Sequence, residues 1–375
     1  MLDSSAAFDC VDHNILLNRL EVDYGLGKEA LQLIKSYLYQ RTFSINLEGY
    51  ESEPRISEFG VPQGSILGPF IYTLYTKYLE EIAFKNGLRI NMYADDCIIY
   101  FSFDNNNLAA AEKNANNCLS EIKLWMNQNF LKLNTLKTQL KIYKPNMSKP
   151  LNFCLNYNNC LISPTNFVNI LGVRVGEIFN NKSFINKKIQ VCNFHLKNLS
   201  NIRDALPHKA RVIMITNLIL TNLDYCNSIL LGTNNTELKP LQLIINKSVR
   251  FIFNINKRTH ITPFLKKLHI LPVIYRIKYK VCLISYRILN GTAPSYLVEK
   301  FPTFTPTTTT SLREGRGRDR MMFAMKRPVH GKETTNDRIK KEWNNLPIKL
   351  RAEESINIFK SRLKAHFFSQ AFDSV

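Results

Sequence analysis

Paired cysteines are missing from this sequence. Its eight cysteines, Cys10, Cys97, Cys118, Cys154, Cys160, Cys192, Cys226 and Cys282, are scattered singly, and none forms a C-x-x-C pair. That distribution fits reduced, structural thiols better than a disulfide framework. Cys154 with Cys160 and Cys192 with His195 come nearest to metal-ligand spacing. No second pair follows at finger distance, so no zinc site is expected. Long apolar runs are missing too. The best candidate, residues 212–220, is short and interrupted by Thr216 and Asn217, so no membrane span is expected. Nothing resembles a secretory signal, since Asp3 follows Met1 almost at once, and an intracellular protein is expected. With 14 glycines and 15 prolines in 375 residues the chain is not of low complexity. It has the length for two or three globular domains, and it carries no internal repeat.

What is present is a strongly one-sided charge. Residues 1–140 hold 12 Lys and Arg against 17 Asp and Glu, whereas residues 141–375 hold 38 against 13. The net charge of +20 therefore belongs entirely to the later part of the chain. A field of that sign attracts polyanions, of which nucleic acid is the commonest large one. A basic surface kept for solubility would be more evenly spread. No basic amphipathic helix with an exposed aromatic face points to a membrane surface.

The pattern of the first half is mixed. Residues 1–10 read as the end of a strand. Asp12 can cap a helix that starts near His13 and turns Ile15, Leu16, Leu17 and Leu20 inward. Residues 29–39 predict a second helix with Leu31, Ile34 and Leu38 on one face. Residues 42–47 and 55–59, with Glu48-Gly49 as a turn, predict a hairpin. A loop over residues 60–64 leads into a helix over residues 65–83. Residues 88–103 form two strands interrupted by Ala94-Asp95-Asp96, and a long helix follows over residues 108–129. A loop and a strand are expected over residues 132–143 and short strands over 153–175. From residue 184 the pattern turns helical, with helices over residues 185–199, 209–222, 238–253, 273–290 and 356–372. Residues 302–310 are rich in Pro and Thr, and residues 311–332 are basic with glycines, the composition of a flexible linker.

Three short elements carry chemistry. The first runs from Asp3 to His13, the second is Gly60-Val61-Pro62-Gln63-Gly64-Ser65-Ile66-Leu67-Gly68-Pro69, and the third is Tyr93-Ala94-Asp95-Asp96. Asp95 and Asp96 interrupt two apolar strands, where like charges repel and desolvation costs several kcal/mol per ion. That placement calls for a compensating cation. Phosphoryl transfer gives a reason for one, because two divalent metals roughly 3.5–4 Å apart stabilise both the attacking and the leaving oxygen. Hard carboxylate oxygens suit Mg²⁺. Asp3 and Asp95 face each other if their strands are neighbours, with Asp96 supporting either the metal site or the turn.

In order and spacing these elements resemble motifs A, B and C of the reverse transcriptase palm. The wording A-A-F-D-x-V-D-H and G-V-P-Q-G-S-I-L-G-P is similar to jockey-like, non-LTR (LINE-type) retrotransposons rather than retroviruses. The resemblance implies an α+β fold: a palm of antiparallel sheet with helices packed on one face, then an all-α thumb and C-terminal region. It implies a metal-binding set of Asp3, Asp95 and Asp96, with Asp3 and Asp95 as the metal ligands and Mg²⁺ as two ions that Mn²⁺ can replace. Phe8 matches the steric gate against a ribose 2′-hydroxyl, and Gln63 the residue near the incoming nucleotide and template. Gly60 and Gly64 allow close backbone approach. The stretch from Leu131 to Thr138 resembles motif D, with Lys137 placed to protonate or neutralise the leaving pyrophosphate. Leu171 and Gly172, within Ile170-Leu171-Gly172-Val173, resemble the hairpin that grips the primer end.

The later chain agrees, with Leu268-His269-Ile270-Leu271-Pro272, Ala293-Pro294-Ser295-Tyr296-Leu297 and Trp343-Asn344-Asn345-Leu346-Pro347 resembling the region that follows the polymerase in such elements. The implied organisation is a palm over residues 1–180, a helical thumb over 181–300, a basic linker over 301–334 and a C-terminal helical segment over 335–375. The implied partners are an RNA template, a DNA primer or target and deoxynucleoside triphosphates, in the nucleus and cytoplasm. The resemblance also implies a fingers region and an endonuclease upstream of motif A, so a chain that starts at Asp3's strand is expected to be weak or inactive alone. The competing reading is an inactive, retroelement-derived module that only binds RNA or DNA. Trp125 and Trp343 are expected to pack rather than to stack on bases, and Tyr275, Tyr279 and Tyr286 to lie in or beside a helical core. The run from Arg313 to Arg320 reads either as a solvated linker or as a phosphate contact.

Overall fold

The computed structural model describes the chain except residues 3, 6, 135–136, 144–152, 158–159, 177–180, 304–321, 324, 326–333 and 374–375. It divides into two compact units, Met1–Phe179 and Asn180–Val375. The first is α+β and the second is helical. The proposed linker lies almost wholly outside the described residues.

The first unit begins with β1 (Ser4–Ser5), α1 (His13–Val22) and α2 (Lys28–Leu38). The carboxylate of Asp12 accepts the Ile15 N–H at 2.8 Å and caps α1 as expected. Leu16 and Leu20 are fully buried, and Ile15 and Leu17 half-buried beside them. The expected hairpin is two nested ladders. β2 (Thr42–Phe43) pairs with β5 (Arg55–Ile56), and β3 (Asn46–Leu47) pairs with β4 (Tyr50–Glu51). Glu48 and Gly49 both take positive φ, the two-residue turn whose twist suits an antiparallel ribbon. The single helix expected over residues 65–83 is two helices, α3 (Leu67–Thr76) and α4 (Tyr78–Lys85), broken at Lys77.

Next come β6 (Arg89–Tyr93), β7 (Asp96–Tyr100), α5 (Leu108–Gln128), β8 (Lys132–Leu133), β9 (Leu155–Tyr157), β10 (Cys160–Ile162), β11 (Val168–Ile170) and β12 (Val173–Val175). On α5 the residues Ala111, Ala115, Cys118, Leu119, Ile122 and Met126 are buried, the three-and-four spacing of one helix face. Against the expectation of one antiparallel sheet, the described strands form six two-stranded ladders. The strands are short, so most ladders end after two or three pairs. One isolated bridge, Leu2 to Cys97, connects β7 with the segment leading into β1, and β1 in turn pairs with β8. The chemistry-bearing hairpin therefore lies in a run β6–β7–(Leu2)–β1–β8, with α3, α4 and α5 supplying the apolar residues packed into the same core.

The second unit holds α6 (Lys182–Asn201), α7 (His208–Met214), α8 (Thr221–Asp224), α9 (Asn235–Phe253), α10 (Thr262–Lys267), α11 (Val273–Leu289), α12 (Ser295–Lys300), α13 (Thr335–Asn344), α14 (Ile348–Arg351) and α15 (Ile356–Phe372). Six residues in π geometry, Ile215–Leu220, join α7 to α8. The periodicity over residues 209–222 does not distinguish that segment from α-helix. α11 is the hub, packed against α9, α13 and α15. Around it Tyr286, Trp343, Phe359, Phe323 and Phe301 form an aromatic core, with the Tyr286 and Phe359 rings stacked at 4.3 Å. Trp343 is fully buried, so its packing role holds, while Trp125 lies half-buried under the Arg19 guanidinium.

Two charged groups in this unit have defined partners. Lys188 is 5% exposed and donates to the carbonyl oxygens of Asn222 at 2.5 Å and Tyr225 at 2.8 Å, at the end of the α8 helical run where carbonyls lack helical partners. Burial lowers the pKa of that ammonium. Asp224 accepts a bidentate pair from Arg276 at 2.9 and 2.5 Å. All eight cysteines are free thiols. Desolvation pushes Cys97 up to about 12 and Cys118 and Cys192 to about 11, so these are inert packing groups. No helix among the described residues is long and apolar enough to cross a membrane.

Candidate active site

Asp95 sits in the two-residue turn of the β6–β7 hairpin, which closes with Tyr93 opposite Asp96. Ala94, the first turn residue, has φ +51. An alanine there costs about 1 kcal/mol relative to ordinary backbone, a strain that is found most often at functional sites. Asp95 and Asp96 are both half-buried. No hydrogen bond or ion pair from a described residue engages the Asp95 carboxylate. A half-buried carboxylate with no protein cation beside it among these residues, next to a second aspartate, is a donor set of hard oxygens that suits a divalent ion. Among the described residues no three His, Cys, Asp or Glu converge as a metal cluster. Asp3, the third proposed ligand, lies outside the described residues.

The backbone on either side of that position is defined. Leu2 and Cys97 exchange both bonds of an antiparallel pair, at 2.7 Å and 3.2 Å. Beyond it, Ser4 pairs with Leu133 and Ser5 with Lys132. Met1 exchanges bonds with Gln139, its ammonium donating to the Gln139 carbonyl oxygen at 2.8 Å and its own carbonyl accepting the Gln139 N–H at 3.0 Å. The N-terminal segment is thus held on one side by β7 and on the other by residues 132–139. Lys137 is exposed on the loop within that stretch, and its backbone N–H donates to the Asn134 side chain at 3.3 Å.

Phe8 is half-buried, its ring 4.9 Å from that of Tyr72. Tyr72 also lines a small cavity of about 20 Å³ beneath the hairpin, with Leu2, Thr76, Met92, Ala94 and Asp95. One tyrosine on α3 therefore touches both the proposed gate and the floor of the aspartate turn. The loop that bears Gln63 is fastened to the segment that bears Phe8. Gly60 donates to the Val11 carbonyl oxygen and Val61 to that of Phe8, each at 2.8 Å. His13 Nε2 lies 2.7 Å from the Gly60 carbonyl oxygen, which can only accept, so this nitrogen carries the proton. Gly60 has φ +88, and a Cβ there would come within 2.9 Å of Asp9 Cα. The backbone that approaches Gly60 closely is that of Asp9. Gly64 has φ +78 but open space around it, so its need for glycine is conformational only.

The last predicted residues, Leu171 and Gly172, form the β11–β12 turn with φ +46 and +76. Their hairpin hangs on residues 139–141. Thr165 donates to the Leu140 carbonyl oxygen at 2.8 Å, Lys141 Nζ to that of Asn166 at 2.8 Å, and Asn169 to the Gln139 side chain at 3.3 Å. The structure thus gathers two groups, Asp95 and Asp96 with the Leu2 segment, and Phe8 with Gly60 and Gln63. It connects Lys137 and the Leu171–Gly172 turn to the first through residues 132–141. Asp9, His13 and Tyr72 belong to this surroundings and were not expected. Asp9 and His13 stand inside the first motif, but nothing in one sequence says which loop they reach.

Residues 1–175 match the family model of the reverse transcriptase (RNA-dependent DNA polymerase). The first unit belongs to the reverse transcriptase family. Its relatives carry mobile-element names. The chain is 38% identical over 103 residues to the RNA-directed DNA polymerase from mobile element jockey of Drosophila funebris, covering 26% of this chain and 11% of that protein. It is 31% identical over 142 residues to a probable RNA-directed DNA polymerase from transposon BS of Drosophila melanogaster, covering 36% of this chain and 15% of that one. A probable RNA-directed DNA polymerase from transposon X-element of Drosophila melanogaster matches at 35% over 104 residues. The reverse transcriptase domain here is therefore of the jockey-like, non-LTR kind, and the matched segments span 11% to 15% of these relatives' own length.

Proposed function

We propose that this chain is the polymerase-centre portion of a non-LTR retrotransposon reverse transcriptase, adding deoxynucleotides to a DNA primer 3′-hydroxyl on an RNA template. The single observation that carries the reading is the hairpin that raises Asp95 and Asp96 beside the paired Leu2–Cys97 backbone, with no described cation on Asp95. In this reading Asp3, Asp95 and Asp96 hold two Mg²⁺ ions, for which Mn²⁺ can substitute, and Asp3 and Asp95 are the direct ligands. Bound there, the ions would neutralise the charge that develops on the attacking and leaving oxygens. Phe8 closes the space that a ribose 2′-hydroxyl needs, its ring braced by Tyr72. Gln63 faces the nucleotide and template from a loop fixed to the Phe8 segment. Lys137 is the exposed cation that neutralises or protonates pyrophosphate. The Leu171–Gly172 turn steadies the primer end. The first unit acts as the palm, and the second as thumb and C-terminal region, its charge drawing in the phosphate backbone.

Primer extension by the full chain on an RNA template in Mg²⁺ tests the reading. The wild type is expected to extend the primer weakly and Asp95→Ala not at all, while template–primer binding survives the substitution. Binding without extension in both proteins would instead leave only a nucleic-acid-binding module.

A further inference from the structure

Gln63 is an exposed glutamine with a carboxylate partner. Its Nε2 donates to Asp9 Oδ1 at 2.8 Å, and both residues are exposed. A solvent-facing glutamine ordinarily samples many rotamers. This one starts from a loop already pinned to the Asp9 segment by three bonds, Gly60 N–H to Val11, Val61 N–H to Phe8 and His13 to the Gly60 carbonyl oxygen. At Gly60 there is no space between the two backbones even for a methyl group. Among the described residues, the Asp9–Gln63 bond is the one side-chain link across this seam that ends on a residue facing the proposed nucleotide position.

We propose, resting on the polymerase reading above, that Asp9 is a positioning residue for the incoming nucleotide: it orients the Gln63 amide, without touching the substrate. The polarity follows from the partner. A carboxylate only accepts, so it selects the amide rotamer with Nε2 towards Asp9. The Gln63 Oε1 is then turned the other way, as an acceptor for a hydroxyl or amino donor on a bound nucleotide. The charge-assisted bond also makes that choice firmer than a neutral partner would. Asp9 directly follows Phe8, so the gate and the residue that sets the amide move as one segment.

The test is equilibrium binding of the complementary deoxynucleoside triphosphate to the full chain, on an RNA template with a dideoxy-terminated DNA primer, so that no chemistry is required. Asp9→Ala is expected to weaken nucleotide binding about tenfold, and Asp9→Asn, which is neutral and can donate as well as accept and so no longer fixes which way the amide points, to fall between Asp9→Ala and wild type. Both variants should keep the wild-type unfolding midpoint. Asp9→Ala or Asp9→Asn binding as tightly as wild type overturns the inference alone. Absence of nucleotide binding by the wild type overturns the polymerase reading and the inference with it. Should Asp9→Ala unfold, the Gln63 side-chain amide signals of the ¹⁵N-labelled wild type decide. Signals shifted and protected from exchange support the latch, and signals indistinguishable from a free glutamine overturn it.

Discussion

The positions that matter most chemically are also those where the local backbone is least ordinary. Ala94 takes a left-handed conformation to turn the chain at Asp95, and Gly60 takes φ +88 to let two loops touch. Gly60→Ala combines a disfavoured φ with a 2.9 Å clash against Asp9 Cα. It should destabilise the chain by about 1–3 kcal/mol, seen as a lower midpoint in thermal unfolding, because the neighbouring atoms are backbone and cannot rotate away. An unchanged midpoint would mean the seam is looser than described. Phe8→Ala, which removes a half-buried ring packed on Tyr72, should lower the midpoint modestly and raise ribonucleotide incorporation relative to deoxynucleotides by about tenfold or more. No change in that ratio removes Phe8 from the gate role. Thiol reactivity separates by burial. Iodoacetamide at pH 8 should label the exposed Cys160 first and spare Cys97, whose thiol is held up to about 12 by desolvation. Peptide mass spectrometry reads the order.

At the scale of elements, much of the fold was legible because apolar periodicity and caps agree with it. α1 with its Asp12 cap, the α5 stripe, and the long helices α9, α11 and α15 follow directly from spacing. The motif residues were legible as short strings, and Asp95 could be placed at a turn because two apolar strands flank it. Other features were not legible, for physical reasons. The break at Lys77 has no Pro or Gly to announce it, and the Lys77 backbone itself stays helical at φ −52 and ψ −37. The π segment keeps the same apolar residues inward as an α-helix would. The partners of Asp9 and His13 lie about fifty residues away, which no local pattern encodes. Asn344 is a further example: its side chain exchanges two 3.1 Å bonds with the Phe323 backbone, closing the aromatic core as a strand would. Asn344→Ala should cost about 1–3 kcal/mol, since both backbone groups of Phe323 lose their partner in a buried setting. Chemical denaturation measures it.

On the scale of the whole molecule the charge asymmetry dominates. The excess of Lys and Arg falls in residues 141–375. The division is legible in the sequence: the acidic excess lies in residues 1–140, with the aspartates of the proposed metal site, and the basic excess in residues 141–375, where phosphate contacts are proposed. Binding of a template–primer should accordingly weaken steeply with salt, log K falling linearly with log salt concentration at a slope equivalent to several phosphates. A salt-independent affinity would contradict it. All of this depends on carboxylates converging on divalent cations, which can be read without requiring synthesis. Fe²⁺ placed in the site in the absence of Mg²⁺ reduces added hydrogen peroxide, becoming Fe³⁺ and releasing hydroxide and a hydroxyl radical that cuts nearby backbone. The account predicts cuts clustered around residues 2–4 and 94–97, suppressed by Mg²⁺ and lost in Asp95→Ala. Cuts at only one of the two segments, or cuts that persist in Asp95→Ala, would contradict it.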